Sequence, residues 1–107
     1  MNETFIRIIK LIKNKDIKVF AHGYDELTED DILIKDVLAN VKDAIIIEDY
    51  PDYPKGHCML VMQNDLKGRS IHVVWGIPRN TNSPTVSITA YRPDPKQWSN
   101  DFLRRKK

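Results

Sequence analysis

The first fifteen residues carry a helical signature. Phe5, Ile8, Ile9 and Ile12 recur at i, i+3, i+4 and i+7, while Arg7, Lys10 and Lys13 fall on the opposite side. The spacing predicts a helix over residues 2–15, with Asn2 as its N-cap and Glu3 favourable in the first turn. Asp16 breaks the period, and Ile17-Lys18-Val19-Phe20 alternates as a short strand. From His22 to Asp31 the chain turns acidic, with Tyr24 and Leu27 three apart, which reads as a short helix. A further helix is predicted over Ile34 to Val41, where Ile34, Val37, Leu38 and Val41 make one apolar face.

Beyond that point the period shortens to two. Ala44 to Tyr50 opens with four apolar residues and has strand length, so a central place in a sheet is expected; Pro51 and Pro54 end it. Cys58 to Gln63 and Ser70 to Trp75 form two more strands, joined by the hairpin chemistry of residues 64–69. Pro84 to Tyr91 is the last strand, reached through the turn at residues 78–83. The order is α, short β, αα, then a β-meander. That predicts one α+β domain over residues 1–107, with N-terminal helices packed on a small antiparallel sheet of three or four strands. The other face of the sheet would stay partly open.

Composition narrows the class. At 41% hydrophobic and 30% charged, the chain is too apolar to be disordered. Its longest apolar run, Cys58 to Met62, is too short for a membrane span or a secretory segment, so a cytoplasmic setting without membrane contact is expected. The net charge of +2 hides a division. Residues 1–54 carry seven Lys/Arg against twelve Asp/Glu, and residues 55–107 carry ten against three. An acidic front half joined to a basic back half points to an anionic partner on the sheet side, near Arg69, Arg92 and Arg104. The single cysteine, Cys58, excludes an intramolecular disulfide. His57 beside it points to the opposite face of a strand, so the pair reads as no metal site.

Several side chains could carry chemistry. His72 lies within an alternating strand and reads either as a histidine on a solvated face or as a proton-transfer group. Tyr91 and Arg92 end the last strand before Pro93, where an aromatic ring could stack a base and a guanidinium hold a phosphate. Tyr91 shares parity with Thr89 and Ser87. His22 stands at a strand-to-helix junction, with Asp25 and Glu26 at i+3 and i+4 to orient or cap it. Arg104, Arg105, Lys106 and Lys107 form a terminal basic run. The Asp49-Tyr-Pro-Asp-Tyr-Pro54 stretch reads as a rigid turn or recognition rim. Walker, Rossmann and nucleophile-elbow patterns are absent.

Taken in order, several stretches resemble a prokaryotic family named domain of unknown function 4258. They are Ala21 to Leu27, Asp36 to Leu38, Ile46 to Pro51, Gly68 to Val74 and Ile88 to Asp94, with a weaker match at Trp98 and Asp101 to Arg105. The family resembles RelE/MqsR-type toxins, compact α+β ribonucleases often encoded beside a zinc-finger-type antitoxin. The resemblance implies a RelE-like fold and a toxin-like endoribonuclease that needs no metal and no cofactor. Its partners would be RNA and an antitoxin protein. His22, His72, Tyr91 and Arg92 map onto the family's recurrent polar positions, while Glu26 and Asp30-Asp31 depart from its basic residue and Arg-Gly pair.

On that reading, a base removes the 2′-hydroxyl proton, the oxygen attacks the adjacent phosphorus, and an acid protonates the leaving 5′-oxygen. His72 and His22 would share the proton transfers, Tyr91 would stack the nucleotide and Arg92 would stabilise the phosphate. Arg69, Trp98, Arg104 and Arg105 would extend the RNA-binding surface. The alternative is a non-catalytic interaction module for a protein or RNA.

Overall fold

The computed structural model describes residues 2–19 and 32–106. Helix α1 spans Glu3–Lys13, and its first turn is closed as the sequence suggests: the Phe5 N–H donates to the Asn2 side chain at 3.0 Å. Lys10 and Lys13 sit in the last turn, where they complement the negative helix end. Phe5 and Ile8 are buried against the sheet. Each contributes about 2 kcal/mol of hydrophobic stabilisation when fully covered. The predicted acidic helix of residues 22–31, and His22 with it, lie outside the described residues.

Helix α2 covers Ile34–Ala39, and a separate 3₁₀ turn covers Val41–Asp43, so the predicted 34–41 helix is broken at Asn40. The break has a cause: the Asn40 side-chain amide donates to the backbone carbonyls of Asn64 and Asp65.

The strands are β1 (Ile17–Val19), β2 (Ile45–Tyr50), β3 (Cys58–Asn64), β4 (Ser70–Gly76) and β5 (Thr85–Tyr91). They form one five-stranded sheet in the order β1-β5-β4-β3-β2. The protein is therefore a small α+β fold, with a mixed sheet where three or four antiparallel strands were expected. β2 to β5 make an antiparallel meander, whereas β1 pairs parallel to β5, from Ile17 opposite Thr85 to Val19 opposite Ser87.

β2 corrects a second expectation, because it lies at the sheet edge. Its apolar run is interrupted by a register shift between Ile46 and Glu48, and Ile45 remains exposed. The three central strands, β3, β4 and β5, supply most of the buried strand residues.

One face of the sheet holds the core, where Met59, Val61, Ile71, Val73, Trp75 and Ala90 meet the residues of α1 and α2. Polar groups within it are paired. The Gln63 amide donates to the Val37 carbonyl and accepts from the Trp75 indole N–H at 3.2 Å, fastening α2 to the sheet. The opposite face carries His72, Tyr91 and the residues paired beside them. Here a second register shift, between Val74 and Trp75, puts Ser87 opposite Trp75 on the core side. Ser87 and Tyr91 therefore do not share a face, as strict alternation would require. This outer face is not left open around His72. After Pro93 the chain folds back over it, held by a bridge between Trp98 and Arg105.

Candidate functional site

Register builds the site. His72 on β4 lies directly opposite Tyr91 on β5, so both side chains emerge on the outer face. The Tyr91 hydroxyl is 3.2 Å from His72 Nδ1, with the rings edge-to-face at 5.3 Å. His72 Nε2 is 2.8 Å from the carbonyl oxygen of Phe102. A carbonyl only accepts, so Nε2 carries the proton, Nδ1 of the neutral ring accepts, and the Tyr91 phenol donates to it. The Trp98 ring closes the other side of the imidazole, edge-to-face at 4.4 Å. His72 is 0% exposed. That burial holds its pKa below the ordinary histidine value, with the Arg105 charge adding to the effect against the Phe102 hydrogen bond and Glu48.

β2 adds a carboxylate and a phenol to the same face. Glu48 pairs with Leu60 and Tyr50 with Cys58, both outward positions of β3. The Tyr50 hydroxyl donates to Glu48 at 2.6 Å, and Arg105 donates to the same carboxylate at 2.9 Å. The Arg105 hydrogen bond, followed by that of Tyr50, holds the Glu48 carboxyl below its usual range. Burial and the bond to Glu48 push the Tyr50 phenol up to about 12. Arg105 also lies 4.7 Å over the Trp98 ring, a cation–π contact. A carboxylate, two phenols, a guanidinium and a neutral imidazole thus converge on one patch.

The residues singled out in the sequence are distributed unevenly. His72 and Tyr91 come together, and Trp98 and Arg105 join them. Arg92 does not, because neighbours along an extended chain point oppositely. It meets the buried Asp65 carboxylate at 2.9 Å and the Ser70 carbonyl at 3.5 Å. Burial opposes the charge on Asp65, but the Arg69 and Lys67 N–H groups and the Arg92 guanidinium outweigh it and hold the carboxyl below its usual range. Arg69 is exposed and also faces Asp65, at 3.5 Å. Trp98 is 3% exposed, so its ring is packed against His72 and is not presented as a stacking platform. Arg104 is exposed in the turn beyond it.

Glu48 was not singled out and Tyr50 only as part of the Asp49–Pro54 turn, although their i, i+2 spacing on a strand places them on one face. Asp65 was read only as part of a hairpin loop.

Residues 20–92 match the family described as Domain of unknown function (DUF4258). The chain belongs to this family. The DUF4258 match takes in β2 to β5, hence Glu48, His72, Tyr91 and Arg92, but ends before Trp98, Phe102 and Arg105. Neither a curated protein nor a solved structure shows a significant match. Among the described residues, no helix is long and apolar enough to cross a membrane.

Proposed function

We propose that this DUF4258 protein is a toxin-like, metal-independent endoribonuclease that cleaves RNA by 2′-hydroxyl attack. The observation carrying this reading is the 3.2 Å pairing of Tyr91 with His72 beside the Glu48–Arg105 pair, all on the outer sheet face. The resemblance to RelE/MqsR-type toxins supports it.

Glu48, kept as a carboxylate, takes the 2′-hydroxyl proton. The 2′-oxygen then bonds to the adjacent phosphorus, the bond to the 5′-oxygen breaks, and Tyr91 delivers the proton that the leaving oxygen needs. The products are a 2′,3′-cyclic phosphate and a free 5′-hydroxyl. Arg105, drawn from Glu48 by the phosphate, offsets the charge that develops there. His72, enclosed on both ring nitrogens, acts behind Tyr91 as a positioning residue: its Nδ1 accepts from the phenol and holds it in place, and the phenol regains its proton from solvent after each turnover. Arg92 organises the loop around Asp65 in place of the phosphate-binding role. His22 complements the site on the family resemblance alone, and an antitoxin protein of the zinc-finger type is the partner that resemblance brings.

A second reading, a non-catalytic module that binds RNA or a protein, is favoured by one feature: the returning C-terminal segment leaves His72 with no exposed surface. One assay separates the two. RNA is incubated with the protein in EDTA beside Tyr91→Phe and Glu48→Gln, and the product ends are analysed. Cyclic-phosphate ends, falling at least ~100-fold in both variants, are expected for proton transfer by these groups. Retention of RNA without cleavage, or equal cleavage by all three proteins, overturns the nuclease reading.

A further inference from the structure

A second polar site lies at the end of the sheet where β2 and β4 stop and β3 begins. A cleft of about 390 Å³ opens between the start of α1, the turn after β2 and the turn after β4. Thr4 and Arg7 line it from α1, Asp52 and Tyr53 from the first turn, His57 from the approach to β3 and Arg79 from the second turn. Its volume is in the range that accepts a small organic ligand.

The cleft is built by specific contacts. Gly56 has φ +131°, and a Cβ there would lie 2.1 Å from the Ile77 carbonyl oxygen and 2.7 Å from the Arg79 nitrogen. Only glycine permits this approach. The approach is then fixed by hydrogen bonds from the Arg79 N–H to the Lys55 carbonyl at 2.8 Å and from the Ile77 N–H to the His57 carbonyl at 3.1 Å. These bonds bring His57 and Arg79 to one rim.

Behind the rim runs a directed chain. Asp49 Oδ1 is 2.5 Å from His57 Nε2 and receives its proton, while the other Asp49 oxygen accepts from the Asn2 amide at 3.0 Å. His57 Nδ1 faces the Thr4 hydroxyl at 2.9 Å. When the imidazole is neutral, Thr4 donates inward to it. When it is protonated, Nδ1–H donates to the Thr4 oxygen and turns the Thr4 proton toward the cleft. An arriving anion favours the second arrangement.

The floor continues into an adjoining cleft of about 400 Å³ that shares Tyr53, Gly56, Ile77 and Pro78. Its further walls include Val86, Ile88 and Cys58, and are mainly apolar. A two-cation pocket backed by a proton relay, next to an apolar slot with a tyrosine at the junction, fits a ligand with one anionic end and one flat, weakly polar end.

We propose that the Thr4–Arg7–His57–Arg79 cleft binds the phosphate of a nucleotide whose base lies in the adjoining slot beside Tyr53. Arg7 and Arg79 take the phosphate oxygens, Thr4 donates a further hydrogen bond, and Asp52 accepts from the sugar hydroxyls. His57 is a positioning residue that acts through Thr4. The nucleotide could be free or the phosphorylated end of an RNA, and both sources present the same group.

Calorimetric titration of the full chain with a nucleoside monophosphate, the matching unphosphorylated nucleoside and a short RNA with or without a 5′-phosphate tests the proposal. Saturable binding of a phosphorylated ligand is expected, absent for its unphosphorylated counterpart. It should weaken at least about tenfold in Arg7→Gln and Arg79→Gln, since each loses a charge-assisted bond. Both arginines are exposed, so unchanged thermal melting confirms that these variants fold. Binding of the mononucleotide assigns a free ligand, and binding of the 5′-phosphorylated RNA alone assigns an RNA end. Thr4→Val and His57→Gln should each weaken binding of the phosphorylated ligand, and the double variant no further than the stronger single one, because His57 acts through Thr4. No saturable binding up to about 1 mM, or equal affinity in both arginine variants, overturns the site. Fully additive losses in the Thr4→Val, His57→Gln double variant overturn the role given to His57.

Discussion

Arg92 meets Asp65 at 2.9 Å, joining the end of the last strand to the hairpin loop between β3 and β4. The Asp65 carboxylate is 2% exposed and also accepts the Lys67 and Arg69 N–H groups, at 2.9 and 2.8 Å. One carboxylate therefore shapes the loop and anchors the strand end.

Asp65→Asn takes the carboxylate charge away from the partly buried Arg92 guanidinium. A loss of about 3 kcal/mol is expected, at the low end for a buried pair because the Arg92 side chain keeps 22% exposure. Urea unfolding measures it. The Asp65 pKa is depressed in the fold, so its contribution is complete above the unfolded value near ~3.9 and is lost as pH falls from there through the folded value. A stability–pH profile that steepens below that point, and flattens in Asp65→Asn, is the expected result.

His72 gives a second pH dependence. Burial depresses its pKa, so in acid the unfolded chain binds a proton that the folded chain refuses. Stability from the neutral ring is full above ~6.5 and declines as pH falls from there to the folded value. An NMR titration should find the His72 imidazole neutral at pH values where a free histidine is already charged. An ordinary titration midpoint would contradict the enclosure by Trp98 and Phe102.

Glu48→Gln separates stability from chemistry. The Arg105 side chain is 61% exposed, so loss of this ion pair should cost less than about 1 kcal/mol. Under the nuclease reading the same change removes the base. A small shift in melting temperature with a large fall in cleavage is expected. A large loss of stability would instead mark Glu48 as structural.

Gly56→Ala places a methyl group against the Ile77 carbonyl at a backbone angle that alanine disfavours. Destabilisation of at least about 2 kcal/mol is expected. In a chain of this size that corresponds to a fall of roughly 10 °C in Tm, read by thermal melting.

The sequence rendered the periodic parts of this molecule well. The α1 stripe, its Asn2 cap and the strands of the meander follow from side-chain spacing, because burial on one face imposes that spacing directly. Features set by distant pairing were hidden. Three residues of β1 beside β5 leave no periodic trace of which strand they join, and the apolar start of β2 reads as central until the exposure of Ile45 is known.

At the site, the His72–Tyr91 face was legible from alternation, but the register shift near Ser87 was not. Pairing Arg92 with Tyr91 overlooked the opposite directions of adjacent residues, whereas the Glu48–Tyr50 face was present in the spacing and missed. Trp98 reaches His72 only because the chain reverses after Pro93, and such a reversal has no period. The division of charge also acquires a second meaning, since acidic Glu48 from the front half meets basic Arg105 from the back.

The mixed sheet has a kinetic consequence. β2, β3, β4 and β5 are neighbours in both sequence and space, so they can assemble hairpin by hairpin at a low cost in loop closure. β1 can dock only after β5 exists, along a parallel register of three residues. Amide hydrogens in this last-formed pair should exchange with solvent before those of β3 and β4. Release of β1 would leave the remaining sheet standing and expose the backbone of β5 as a temporary edge.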